Sequence, residues 1–308
     1  MNRRNALKTA TVAAGLSMVS PLAEARDAIK ASEKFRLSLN TSTIMGQKLG
    51  VEKSIDIATR AGYDCIELWT GDVKEYLAKG GSLKALKKLL DDSKMPVVDA
   101  IGFSPWMVED EADRKAGMKQ MREEMEMMAA LGCPRMAAPS AGVKQEEQLD
   151  LFKIGDRFAD LIKLGRETGV TPQLEFWGAS KFHHIGQVLM ASAVANDPGV
   201  RILADVYHLH RGGSGFEGLK MIDGSLVEIF HMNDYPSTIP REKLDDKDRV
   251  YPGDGVAPLT QILTDLKNMK GPKILSLELF NREYWSQDPL QVAKTGLDKM
   301  KKAIAAVS

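Results

Sequence analysis

Cysteine is scarce, with two residues, Cys65 and Cys133, in a 308-residue chain. Two thiols cannot build a disulfide framework, and both stand at or near the start of apolar runs, where a thiol behaves as a small hydrophobe. Charge of one sign is lacking too, because 42 Lys and Arg balance 42 Asp and Glu. That balance removes the electrostatic case for a nucleic-acid partner or an anionic membrane surface. Beyond the N-terminal segment no apolar stretch approaches the roughly 20 residues needed to cross a bilayer, so the mature chain is expected to have no membrane partner. No GxGxxG follows the first strand-like run, and dinucleotide binding of that type has no support. Histidine is limited to five residues. Function therefore has to reside in a few local groups.

The first 25 residues differ from the rest. MNRRNALKTATVAAGLSMVSPLAEA has a basic start, a mild small-residue apolar stretch, a proline and then Ala23-Glu24-Ala25, the anatomy of an export signal. Arg3-Arg4 followed by Asn5-Ala6-Leu7-Lys8 resembles a twin-arginine signal, the route for proteins exported already folded. An ordinary amphipathic N-terminal helix is the competing reading. The expected organisation is a cleavable signal over 1–25, a polar connector over 26–34 and one globular domain over 35–308, with the mature protein in the periplasm.

Over the remaining length, eight short β-rich runs alternate with amphipathic helical stretches. The strand candidates are 35–44, 65–69, 96–106, 134–140, 171–178, 200–208, 228–235 and 273–280. Several are apolar through their middles without alternation, as strands covered on both faces should be. In the helical stretch DLFKIGDRFADLIKLG the residues Leu151, Phe152, Ile154, Phe158, Leu161, Ile162 and Leu164 recur at roughly helical spacing, one face to a core and one to water. The Met-rich MKQMREEMEMMAALG reads as another core-facing stripe rather than a metal or partner surface. Eight β-then-α units in one domain-sized chain point to a single α/β domain, a (β/α)8 barrel, with a doubly wound open sheet as the competitor.

In such a barrel, functional groups collect where each strand stops. Glu175 lies late in TPQLEFWG, Asp205 in VRILADVYH, His231 in EIFHMNDY and Glu278 in KILSLELF, one in each of the last four strands. An acid or imidazole in an apolar strand is expensive unless paired or metal-bound, and separate internal salt bridges are the bland alternative. Four at one level share a simpler explanation, a divalent cation between them. Two Glu, one Asp and one His form a fairly hard set, which suits Mn2+ best, Mg2+ or Co2+ next, and Zn2+ less.

With LEFWG, DVYHLH, HMND and LSLELF in this order on successive strands, the chain resembles the sugar phosphate isomerase/epimerase family of xylose isomerase-like TIM barrels, from about Phe35 to the C-terminus. The resemblance implies a metal held by Glu175, Asp205, His231 and Glu278. It also implies that Glu175 and Glu278 transfer protons as catalytic residues and that His208 contacts substrate oxygens. Ion-assisted removal of a proton beside a carbonyl gives epimerisation or isomerisation, according to where the proton returns. Loss of a β-substituent gives instead a lyase or hydratase, acting on 3-keto-sugars or keto-glycosides. Abasic-site endonucleases, related barrels with a three-metal zinc cluster, use more histidines than this chain offers. A sugar-binding barrel without catalysis is the reading from another class, and two intact glutamates argue against it.

Further substrate contacts are expected from aromatic and charged residues near strand ends. Trp69, Trp106, Trp177 and Trp285 all follow strand-like runs, and a Trp there can stack on a sugar's C–H face while its N–H binds a hydroxyl. The resemblance also implies a substrate-binding Arg after the histidine ligand, for which Arg249, just before YPGDG, is a better candidate than Arg241, a solvated surface residue being the alternative. Glu67 and the pair His183-His184 are second-tier candidates, and His210 is assigned to the loop. Export makes a non-phosphorylated carbohydrate the expected small-molecule substrate. A homo-oligomer is compatible with the sequence, and nothing in it requires one.

Overall fold

A computed structural model describes residues 34–307, so the expectations for the signal and most of the connector lie outside the described residues. Eight strands are present: β1 Phe35–Asn40, β2 Cys65–Trp69, β3 Val97–Ile101, β4 Arg135–Ala138, β5 Thr171–Glu175, β6 Ile202–Asp205, β7 Ile229–Met232 and β8 Lys273–Leu277. Their order is β3-β2-β1-β8-β7-β6-β5-β4, with every ladder parallel. The first strand pairs with the last, which an open doubly wound sheet does not require and a closed barrel does. At the remaining seam, β3 and β4 are joined by side chains: Arg135 Nη1 donates to the Val98 carbonyl at 3.3 Å, and Gln173 Nε2 on β5 donates to Asp99 Oδ2 at 2.8 Å.

Two apolar layers hold the barrel. The larger lies between sheet and helices, where the helix Leu151–Thr168 buries Ile154, Phe158, Leu161, Ile162 and Leu164. The Met-rich helix Glu111–Ala130 buries Met121, Met125, Met127 and Met128 in the same layer. The smaller layer, inside the strands, is built from Cys65, Val98, Ile101, Ala137, Leu203, Ile229 and Ile274. Because side chains alternate along a strand, Cys65, Leu203, Ile229 and Ile274 are followed two residues on, along the same inner faces, by Glu67, Asp205, His231 and Ser276, all buried. Both cysteines are free and buried, and burial pushes both thiols up, Cys65 to about 12.

Several expectations of extent are corrected. The seventh strand stops at Met232, and Glu278 stands one residue beyond β8. An additional helix, Thr70–Ala78, follows β2 directly, with the last strand residue, Trp69, as the extended residue before it and Asp72 in its first turn. FEGLKMI, read as a helix, is a short 3-10 turn over Glu217–Met221. After β7 the chain makes a long excursion pinned by Asp234. Its carboxylate accepts from the backbone N–H groups of Tyr235, Gly253, Gly255 and Ala257, and its backbone pairs with Val250. That excursion carries Asp246 and Arg249 to the C-terminal mouth of the barrel.

Candidate active site

Strand register brings the polar groups together. Asp205 is the direct neighbour of His231 across β6 and β7, and His231 is the neighbour of Ser276 across β7 and β8. The His231 Nδ1 atom faces three carboxylates: Glu278 Oε2 at 3.1 Å, Asp205 Oδ2 at 3.6 Å and Glu175 Oε1 at 3.9 Å. It makes no hydrogen bond, and neither does Glu175 Oε2. Ligand atoms of Asp205, His231 and Glu278 lie within 4.8 Å of one another; Glu175 stands beside this trio rather than in it. Burial alone would lower the His231 pKa, yet the Glu278 and Glu67 carboxylates raise it well above the ordinary value. Burial is also the chief reason that Glu175 is pushed up to about 8, with Glu278 and Asp205 adding to it against the pull of His231. An unpartnered imidazole nitrogen aimed at converging carboxylates is an arrangement that a divalent cation completes, so the residues present fit a metal.

Arg249 is buried in the same cluster. Its Nη1 donates to Asp205 Oδ2 at 2.9 Å and to Glu278 Oε2 at 2.8 Å, and its Nη2 donates to Asp246 Oδ1 at 2.6 Å. The guanidinium lies 4.5 Å from the Tyr207 ring centre and 5.0 Å from that of Phe280. Burial would raise the Asp205 carboxyl, but Arg249 foremost, then His208 and His231, hold it well below the usual carboxylate range. Asp205 Oδ1 meanwhile caps the short helix Val206–Arg211 by accepting from His208 N–H. The Gly178 N–H lies 3.1 Å from His208 Nδ1, and Arg249 Nη2, which can only donate, lies 3.2 Å from His208 Nε2, so two donors face a ring that has one lone pair when neutral. Burial lowers the His208 pKa, which keeps that ring neutral.

A cavity of about 390 Å³ opens above these groups. Glu175, His208, Arg249 and Glu278 reach it, and its walls include Trp69, Phe103, Trp177, Tyr207 and Phe280. Phe103 stands 5.2 Å from Trp69 and 5.8 Å from Trp177, and Phe280 lies 5.8 Å from Trp69, so the rings form a continuous aromatic wall. A larger groove of about 760 Å³ lies outside the barrel between Pro252–Thr264 and the last helix, but none of the clustered acids or imidazoles reaches it. The chemistry belongs to the smaller cavity.

The structure brings Glu175, Asp205, His231, Glu278, His208, Arg249, Trp69 and Trp177 to one mouth, and separates the other candidates from it. Trp106 is fully buried, its indole N–H bonded to the Pro139 carbonyl at 2.9 Å and its ring against Phe158, so it is a core residue and not a substrate contact. Glu67 is also fully buried. It sits behind His231, with Oε1 2.9 Å from Nε2, and does not reach the cavity. Trp285 belongs to a short helix, Arg282–Trp285, and donates to the Ser42 carbonyl. Trp69 offers a ring face only, since Asn40 Oδ1 already accepts from its N–H at 2.9 Å. His184 caps the helix Ile185–Ala195, His183 Nδ1 lies 2.8 Å from the Gly212 carbonyl, and His210 stacks on Tyr235 within the helix after β6.

Several participants went unread. Asn233 Nδ2 donates to Asp205 Oδ2 at 3.0 Å, and Asn40 Nδ2 donates to Glu278 Oε1 at 3.2 Å. Asn233 follows His231 by two residues, the strand period, which was a usable signal. Asn40 ends β1 and carries no comparable mark. Phe103, Phe280 and Asp246 come from loops, where strand periodicity says nothing.

A parallel eight-stranded barrel with clustered acids and an imidazole at its C-terminal mouth is the architecture of a barrel enzyme. The chain belongs to the xylose isomerase-like TIM barrel family, whose model matches residues 55–303. It is 28% identical over 269 residues to an inosose isomerase of Halalkalibacterium halodurans, covering 85% of this chain and 94% of that protein. A fructoselysine 3-epimerase of Escherichia coli O157:H7 is 21% identical over 274 residues, covering 83% and 94%. Among solved structures, the IOLI protein with a bound zinc atom superposes with a TM-score of 0.82 at 25% identity, covering 89% of this chain and 99% of that one.

Proposed function

We propose that this protein is a metal-dependent sugar isomerase or epimerase that moves a proton next to the carbonyl of a non-phosphorylated sugar or keto-sugar. The observation that carries the reading is the pairing of two unpartnered atoms in one buried cluster: His231 Nδ1, facing three carboxylates, and Glu175 Oε2, on a carboxylate that reaches the cavity. The relatives named as an inosose isomerase and a fructoselysine 3-epimerase, and the zinc-bound neighbour, support it.

Asp205, His231 and Glu278, with Glu175 beside them, would hold the ion, and this oxygen-rich set favours Mn2+, with Mg2+ or Co2+ next and Zn2+ the competitor. A bound divalent cation supplies Lewis-acid polarisation of the carbonyl, which lowers the cost of removing the adjacent C–H proton. Glu175 Oε2 takes that proton; its upward shift to about 8 matches a group that must both accept and return a proton near neutral pH. His208 and Arg249 line the same cavity, where their positive edges favour the developing oxygen charge. Glu278, three strands round the barrel, gives a proton taken up from solvent to the other side to yield an epimer while Glu175 releases its own to solvent, and return of the Glu175 proton to the neighbouring carbon gives an isomer. Trp69 and Trp177 offer ring faces to the sugar's C–H face.

Among the described residues, Arg249 is the one Lys or Arg in the cavity wall, and its charge is committed to Asp205, Glu278 and Asp246. No cation is left over for a phosphate, which supports a non-phosphorylated substrate. Residues 1–25 extend the proposal to export through the twin-arginine route into the periplasm, with 26–34 as connector. The test is proton NMR in deuterium oxide of metal-loaded protein with a panel of ketoses and 3-keto-glucosides. The expected result is solvent exchange at the carbon beside the carbonyl, abolished by chelator and reduced about 10²–10⁴-fold by Glu175→Gln. No exchange with any of the four ions sinks the proposal, and an elimination product would replace it with a lyase.

A further inference from the structure

We propose that Glu67, braced by Ser276, is a positioning residue that selects which nitrogen of His231 faces the acidic cluster and so sets the affinity of the site for its ion. The inference rests on the metal-site reading above. Glu67 and Ser276 are fully buried. Glu67 Oε1 lies 2.9 Å from His231 Nε2, and Ser276 Oγ donates to Glu67 Oε2 at 2.5 Å. A carboxylate in this position can only accept, so Nε2 keeps a ring proton, and Nδ1, which faces Asp205, Glu175 and Glu278, is the nitrogen that gives up its proton to bind an ion. Were the tautomer reversed, Nδ1 would be a donor and useless as a ligand.

Two features of the backbone show that the contact is built rather than incidental. The β2–β3 ladder shifts register there, Ile66 pairing with Val97 and Glu67 with Asp99, so the extra residue, Val98, lies on β3 while Glu67 keeps the inward face that Cys65 has two residues earlier. Ser276 is the direct cross-strand neighbour of His231, so β2, β7 and β8 each deliver one member of the chain Ser276, Glu67, His231. The ion-pair partner of Glu67 among the described residues is His231. A buried carboxylate with no Lys or Arg to offset it is costly. Asp99 provides the contrast: it is the register partner of Glu67 and equally buried, but its hydrogen bond comes from Gln173, and among the described residues His231 makes its hydrogen bond to Glu67.

The experiment titrates metal-stripped protein with Co2+, reading the dissociation constant by competition with a chromogenic chelator and the ligand field by visible absorption. Glu67→Gln keeps the shape but not the charge and should raise Kd about tenfold, while Glu67→Ala should raise it about 10–100-fold with shifted Co2+ bands. Asp99→Asn should change neither. Folded Glu67 variants that bind Co2+ with unchanged Kd and spectrum overturn the inference, as does an equal loss in Asp99→Asn. Should the Glu67 variants fail to fold, Ser276→Ala decides, a raised Kd supporting the brace and an unchanged one overturning it. Wild-type protein that binds no Co2+, Mn2+ or Zn2+ overturns the metal-site reading itself, an outcome distinct from unchanged variants of a wild type that binds.

Discussion

Replacing Arg249 by Met tests how the acidic cluster is held together. Met has a similar reach and no charge, so Arg249→Met leaves Asp205 and Glu278 buried without the guanidinium that now contacts both at 2.9 and 2.8 Å, and Asp246 loses its partner as well. Removing one member of a buried ion pair typically costs 3–5 kcal/mol, because the remaining charges are stranded, and for a domain of this size that corresponds to a fall of roughly 6–20 °C in unfolding midpoint. The network here is three carboxylates to one cation, and Arg249 also covers Tyr207 and Phe280, which places the expected loss toward the upper end. The assay is thermal unfolding in chelator, followed by a titration of Mn2+. An ion at about 100 times its Kd adds about 2.7 kcal/mol to the state that binds it. Since Arg249 and the ion draw on the same carboxylates, the variant should gain more than wild type from added Mn2+ and the gap should narrow. A variant as stable as wild type in chelator, or equal gains in both proteins, would refute the reasoning.

Ion binding should also depend on pH through Glu175, whose folded value near 8 lies above its ordinary one. The sign is that of a carboxyl favoured neutral in the fold: its contribution to stability is complete below the unfolded value near 4.5 and is lost as pH rises through about 8. Because the ion needs the carboxylate, apparent affinity should rise between about pH 6 and pH 9 with proton release, measured by calorimetry in buffers of different ionisation enthalpy. Trp177→Ala should raise KM for a reactive keto-sugar while changing kcat little, since a stacking wall binds ground and transition states alike. Gly212→Ala would put a Cβ 2.0 Å from the His183 carbonyl oxygen, and urea unfolding should show a loss of about 1–3 kcal/mol.

The barrel and its cluster of three acids and one imidazole were legible because both are local patterns. Eight alternations of strand-like and helix-like periodicity survive in the linear order, and a charged group late in an apolar run is conspicuous wherever the run ends. Trp106 and Trp285 misled for the same reason: both follow strand-like runs, but following a strand does not say which way a loop turns. Trp106 turned into the core and Trp285 onto a short helix over Gly46. Glu67 shares its inner face with the ligands, and sequence spacing could not tell that it stands behind His231 and short of the cavity. Asn40, Phe103, Phe280 and Asp246 carry no periodic mark and enter the site from separate strand ends and loops.

By itself the sequence determined the alternation of elements, the inward face of each strand and the chemical types at the strand ends, since these follow from side-chain alternation and from the cost of burying charge. Only the tertiary structure decided depth and direction. Parallel register set Asp205 beside His231 and put Glu67 behind it, and the excursion after β7 returned Arg249 to the carboxylates of two distant strands. Those relations depend on how strands stagger when a sheet closes, a property of the whole barrel rather than of any segment in it.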